Sequence, residues 1–175
     1  MKSVLISIQP YWVFLIIAKT MGWKIDKEKT IEVRKSFPKA EDWNRQVEIY
    51  CSKDKKSFNL IPKEYQPLMQ KFLGKVVGKW FCDKIADIKP FGLDIEEFEK
   101  QSCLSALEIA RYLKGLYGYA WHISNFKIYD KPKELSEFLS CKKCVGKKYN
   151  YCGSCKGSSI TRPPQSWCYV ESQGE

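Results

Sequence analysis

Two Cys-x-x-Cys pairs, Cys141 with Cys144 and Cys152 with Cys155, stand seven residues apart in the last quarter of the sequence. Paired turns of this kind aim four thiolates at one tetrahedral centre, which suits a structural zinc ion with no position left open to water. Iron-sulfur ligation, a redox role or disulfides are the competing uses of such thiols. Gly146 and Gly153 ease the tight turns, and lysines 142, 143, 147, 148 and 156 favour thiolates and offset the negative charge of a four-thiolate zinc site. The expected organisation follows from that staple. A main domain over 1–138 precedes a zinc-knuckle insert over 139–160, and the segment 161–175 returns to the main domain. The other cysteines, Cys51, Cys82, Cys103 and Cys168, are scattered through apolar or helix-forming stretches and read as small buried hydrophobes.

At 175 residues the chain has room for one domain with a real core and a small appendage. Val4, Ile6 and Ile8 alternate as a strand does, and Pro10 is placed to start a helix through Ile17, with Gly22 as its stop. The apolar run Tyr11 to Ala18 is too short to cross a bilayer, which takes about 20 residues. Gln9-Pro10 also interrupts the apolar stretch that begins at Val4 too early for a secretion leader, and no small-x-small cleavage site follows. The expectation is a cytoplasmic protein with no membrane segment.

Thr30, Glu32 and Arg34 alternate with Ile31 and Val33, and Val47, Ile49 and Cys51 with Glu48 and Tyr50. Both patterns predict half-buried strands with polar side chains on one face. The spacing predicts a short helix within Pro62 to Phe72 ended by Gly74, and a β-rich run from Val76 to Ile85. Ser105 and Glu108 have capping-box spacing, so a helix is expected from about Leu104 to Lys114, with Gly115 at its C-terminal cap. Tyr119 to Tyr129 reads as one long strand, Asp130-Lys-Pro132 as the opening of a short helix carrying Leu135, Phe138 and Leu139, and Trp167 to Val170 as a closing strand. Strands interspersed with short helices, without strict alternation, predict an α+β domain with a strongly curved mixed sheet or small barrel.

Thirty Lys and Arg against twenty Asp and Glu give a formal net charge of +10. That balance directs attention to polyanionic partners. His122 is the only histidine, and it follows Trp121 on a predicted strand, where successive side chains face opposite ways. Trp12, Trp121, Trp167 and Tyr50 are candidates for stacking on an unpaired base. Trp121 and Trp167 are favoured, because His122 and Ser124 adjoin one and Gln165 and Ser166 the other.

Three segments occur in the order and roughly the spacing of the ASCH domain family: Val4 to Trp12, Lys29 to Lys35, and Gly74 to Phe81. The chain thus resembles an ASCH domain of the PUA-like β-barrel superfamily over about residues 3 to 130. Its Arg162-Pro-Pro-Gln-Ser-Trp167 tail looks like that of a phage and prophage subgroup carrying the cysteine insert. The family signature Gly-x-Lys-x-x-Glu-x-Arg is matched by Lys29, Glu32 and Arg34, with Lys27 where the glycine would stand.

The resemblance implies a PUA-like barrel whose cleft faces RNA, single-stranded nucleic acid or a nucleotide-like ligand. Lys29 and Arg34 would hold an anion or a base edge, with Glu32 orienting them, and Thr30, Trp121, His122, Gln165 and Trp167 beside them. One family branch removes the acetyl group from N4-acetylcytidine with a lysine, a threonine and a glutamate. Lys29 falls on that lysine, but Glu32 stands where the threonine nucleophile would be. A binding module therefore stands beside a hydrolase, either amidohydrolase or ribonuclease, with Lys29, Glu32 and His122 as candidate catalytic groups. A phage protein that binds a host protein is the third expectation.

Overall fold

The structure is a computed structural model that describes residues 2–39, 43–140 and 158–172. Cys141, Cys144, Cys152 and Cys155 lie outside the described residues. The opening strand β1 (Lys2–Ile8) is central: it runs parallel to β3 (Trp43–Cys51) and antiparallel to β10 (Trp167–Ser172). Hydrophobic side chains cover both of its faces. Val4, Ile6 and Ile8 pack into the larger core, while Leu5 packs with Tyr50, Val76 and Phe138. A parallel neighbour requires a crossover, and the crossover contains α1 (Pro10–Ala18) and β2 (Ile31–Arg34). Pro10 starts the helix at the first turn, and Gly22, at φ +65°, takes the left-handed conformation that lets the chain leave it.

The strands form two sheets, not the single barrel expected from the sequence. Among the described residues one has the order β7 (Ser124–Lys133), β4 (Val76–Phe81), β3, β1, β10, β8 (Phe138–Ser140), β9 (Ser158–Ser159), and the other β2, β6 (Gly118–His122), β5 (Ile85–Ile88). Each of two expected continuous strands divides between them. The run from Val76 becomes β4 (Val76–Phe81) and β5 (Ile85–Ile88), and the run around Trp121 becomes β6 (Gly118–His122) and β7 (Ser124–Lys133). At the second break the Ile123 amide donates to the Thr30 carbonyl at 2.8 Å, and Asn125 takes a left-handed φ of 48°. Within the larger sheet β4 approaches β7 so closely that a Cβ on Gly78 would lie 2.4 Å from the Lys127 carbonyl oxygen, so only glycine fits there.

The helix expected after Asp130 is absent. β7 continues through Pro132, which an edge strand tolerates because its outward backbone amide needs no partner. A single 3-10 turn, Leu135–Glu137, then leads into β8 (Phe138–Ser140). Of the stretch from Pro62 to Phe72 only α3 (Gln66–Gln70) is helical, after the one-turn α2 (Lys55–Phe58). β8 pairs with β9 (Ser158–Ser159) through Leu139 opposite Ser159 and Ser140 opposite Ser158. The two ends of the cysteine-bearing segment therefore meet on this short ladder.

Two helices pack on the smaller sheet. The expected one is α5 (Ala106–Leu113), capped by Ser105 and Glu108 in a reciprocal capping box. The other, α4 (Ile95–Ser102), is not foreseen from the sequence, since only Ile95 and Phe98 are apolar within it. Phe98 closes it onto Ile31, Val33, Ile88 and Ile109. No described helix is long and apolar enough to cross a membrane.

Candidate functional site

β2 begins with a polar face that the sequence pattern assigned to solvent, yet Lys29, Glu32 and Arg34 are only 4%, 8% and 6% exposed. What withdraws them from water is the meeting of the two sheets. Arg34 reaches across it, its Nη2 donating to the Ser7 carbonyl of β1 at 2.7 Å. Lys29 reaches the other way, donating from Nζ to the Ser102 carbonyl at 3.0 Å. Ser102 is the last residue of α4, so the ammonium caps the negative end of that helix. Between the two cations the Glu32 carboxylate places Oε2 at 3.2 Å from Lys29 Nζ and Oε1 at 2.9 Å from Arg34 Nη2.

These side chains line a cavity of about 300 Å³ bounded by the end of β1, the first turn of α1, β2 and α5. Its walls include Ser7, Gln9, Trp12, Tyr112 and Gln165. The Lys29 ammonium lies 5.4 Å from the centre of the Trp12 ring. Behind this lining Arg34 Nε and Ser7 Oγ, like Ser52 Oγ and the Trp80 and Trp121 Nε1 atoms elsewhere, are buried with no hydrogen-bond partner among the described residues. Buried polar groups are ordinarily satisfied, and leaving one unpaired costs about 1–3 kcal/mol. Lys29, Glu32 and Arg34 sum to +1, and the Glu108 carboxylate, also in the lining, brings the charged side chains of the cavity to zero. Glu108 at the rim is already committed: its Oε2 accepts from the Ser105 amide at 2.8 Å and hydroxyl at 2.7 Å, contacts that hold its carboxyl below the usual range.

Of the residues expected at a cleft, Lys29, Glu32, Arg34 and Gln165 meet in the cavity. Thr30 lines an adjoining depression with Glu28 and Cys103. Trp121 corrects the stacking expectation. It lies opposite Glu32 on β6, is fully buried in the larger core, and has no face to offer a base. Trp167 is half-buried, donating from Nε1 to Ser36 Oγ at 3.1 Å, and it packs on Trp121 with ring centres 6.0 Å apart. His122 stands outside the cavity, its Nδ1 2.6 Å from Asp83 Oδ1. That contact holds the Asp83 carboxyl below its usual range.

Ser7, Gln9 and Tyr112 are what the sequence reading did not place at the site, and Trp12, one of the four stacking candidates, ranked behind Trp121 and Trp167. Trp12 carried a usable signal, because a Gln-Pro-x-Trp run ending a strand and opening a helix puts the ring on the first turn, beside the strand end. Tyr112 carried none. Of the scattered cysteines, Cys51 and Cys82 are buried as expected, and burial pushes their thiols up to about 12, which leaves them protonated and unreactive, whereas Cys103 and Cys168 are half-buried. Among the described residues no group of three or more His, Cys, Asp or Glu is placed to hold a metal.

No family model and no curated protein sequence matches the chain. Solved structures do. A tyrosine-to-phenylalanine variant of the ASCH protein of Zymomonas mobilis aligns over 99% of this chain and 93% of its own, with a TM-score of 0.58 and 16% identity. A serine-to-alanine variant aligns over 98% and 89%, and the ASCH protein without either change over 97% and 87%, each with a TM-score of 0.57 and 16% identity. At that identity the likeness speaks for the backbone, and the mixed α+β architecture agrees with it: this chain has the fold of the ASCH-domain proteins.

Proposed function

We propose that the cavity binds one unpaired nucleotide, presented by RNA or by a free nucleotide-like ligand. The observation that carries this reading is the Lys29–Glu32–Arg34 network lining the same cavity as the Trp12 ring. A base edge supplies acceptors and donors for that network, and Trp12 supplies an aromatic surface on which the ring can stack. A volume of about 300 Å³ is at the small end for ligand pockets, so it takes a single nucleotide and excludes a base pair. The ASCH fold and the net charge of +10 support the same direction. The test is binding of mixed-sequence single-stranded RNA, single-stranded DNA and mononucleotides at low salt, where phosphate contacts are strongest. Saturable binding weakened by Arg34→Ala is expected; no binding to any of the three rejects the reading.

A second reading, hydrolysis of RNA or of a modified nucleoside, draws on the contact between Lys29 and Glu32 inside the cavity, an ammonium and a carboxylate close enough to exchange a proton. Full turnover by a Lys29→Ala protein on any substrate found would dismiss it.

For the cysteine segment we propose structural zinc held by Cys141, Cys144, Cys152 and Cys155, with the surrounding lysines gripping backbone phosphates. The support is the ligand spacing and the meeting of the segment's two ends on the β8–β9 ladder.

A further inference from the structure

The strand that delivers Arg34 to the cavity does not stop there. Lys35, Ser36, Phe37, Pro38 and Lys39 follow, and the chain is strapped down along this stretch: Ser36 Oγ accepts from Trp167 Nε1 at 3.1 Å, and the Lys39 amide donates to Tyr169 Oη at 2.9 Å. The segment is thus held against β10 by side chains on both sides of Phe37. Its two lysines are exposed, and each ammonium rests over an aromatic ring. Lys35 Nζ lies 5.1 Å from the centre of Tyr112, and Lys39 Nζ lies 5.5 Å from the centre of Phe37. Phe37 in turn packs edge-on against Tyr119, with ring centres 4.7 Å apart. Among the described residues neither ammonium has a carboxylate partner.

We propose that this rim is a track for single-stranded nucleic acid, on which nucleotides adjoining the one in the cavity stack on Tyr112 and Phe37 while Lys35 and Lys39 take the intervening phosphates. The inference rests on the proposed single-nucleotide reading of the cavity and extends it to a polynucleotide substrate. Continuity is the first reason: Tyr112 lines the cavity and also carries Lys35, so the track starts at the cavity mouth. Length is the second. The five residues beyond Arg34, which bend at Lys35, reach at most roughly 17 Å at about 3.4 Å per residue, room for a few nucleotides at the about 3.4 Å rise of a stacked strand. The third reason is the alternation itself. A single strand offers base faces and phosphates in alternation, whereas a duplex hides the faces, and an acidic peptide would use the lysines but leave the rings idle. An exposed ammonium over a ring is a weaker contact than a base stacked on it, so each lysine can exchange its ring for a phosphate as a base arrives.

The experiment measures affinity of the full chain for mixed-sequence single-stranded RNA of one, four and eight nucleotides, and for an RNA duplex, across a salt series. The tetranucleotide is expected to bind at least about tenfold tighter than the mononucleotide, which corresponds to a modest gain from each added stacked base. In a Lys35→Ala/Lys39→Ala protein the salt slope for the tetranucleotide should fall by about 1.4, the value for two lost single-strand phosphate contacts, while mononucleotide binding stays at its original strength. Equal affinity for one and four nucleotides, an unchanged salt slope in the double variant, or duplex binding as tight as single-strand binding each overturns the track. Should the mononucleotide fail to bind while the length and salt effects hold, the track stands and the single-nucleotide reading of the cavity falls. Both lysines are exposed, so circular dichroism should report an intact fold.

Discussion

Lys29 Nζ and Glu32 Oε2 lie 3.2 Å apart in a site where both side chains are almost wholly withdrawn from water. The pair is deep enough that removing one partner strands the other, and here Glu32 also neutralises Arg34. Glu32→Ala leaves two buried cations facing each other, at a cost of about 3–5 kcal/mol. For a chain of this size that corresponds to a fall in Tm of roughly 10 °C. Glu32→Gln keeps the shape and one acceptor and should lose less. Thermal melts of the two variants check the ordering, and equal loss in both would contradict it.

Arg34→Lys preserves charge but removes both the Nε donor and the fork that lets Nη2 reach Ser7 and Glu32 together. If the Arg34 guanidinium holds the ligand through that fork, this variant binds nucleotide at least about tenfold more weakly, the loss expected for about 1.4 kcal/mol. Titration against the same mononucleotide for both proteins measures it. An unchanged Kd would mean that Arg34 acts only as a charge.

Glu48 is a separate buried carboxyl, 1% exposed on β3, accepting from Tyr129 Oη at 2.5 Å and Gln46 Nε2 at 2.9 Å. Desolvation pushes its pKa above the ordinary 4.5 despite those hydrogen bonds. A folded state that holds this proton more tightly than the unfolded chain loses stability as pH rises from about 4.5 through the raised value, and regains it on acidification over the same window. Glu48→Gln removes the charged form and should raise Tm at neutral pH while flattening that part of the stability–pH curve. Urea denaturation of both proteins at pH 4.5 and pH 8 would show the difference narrowing at the lower pH; a constant gap sinks the assignment.

Metal analysis of the purified protein should find about one zinc per chain, lost when Cys141 and Cys144 are replaced together by serine. If the segment grips phosphates, chelation weakens RNA binding and reduces its salt slope. Because the larger core, built on β1 and β3, takes none of its described residues from the segment 139–160, most of the thermal transition should persist. A chelated protein with full affinity for RNA would confine the metal to local folding.

The individual strands were legible because their alternation is written into consecutive residues: β1, β2, β3 and β10 all fall where Val, Ile and Trp patterning puts them. Periodicity says nothing, however, about which sheet a strand joins, and it ran straight through the breaks at Cys82–Lys84 and Ile123, where the chain changes partners. Alternation also cannot distinguish a solvent face from a face that another sheet will cover. That is why Lys29, Glu32 and Arg34 read as a polar surface in pattern and as candidates only through resemblance, whereas Trp121 read as a stacking residue and lies in the core.

By itself the sequence determined the helix that starts at Pro10, the capped helix that starts at Ser105, the signature Lys29, Glu32 and Arg34, and a cysteine spacing fit for one metal ion. Each is a local property, set by neighbours within a few residues. Tertiary structure alone decided that Ser7, Trp12 and Tyr112 join that signature around one cavity, since they come from β1, α1 and α5 and meet only where the two sheets pack. It also decided the burial of Lys29, Glu32 and Arg34: withdrawal from water is a consequence of what packs on a residue, and no residue carries that information in its own neighbourhood.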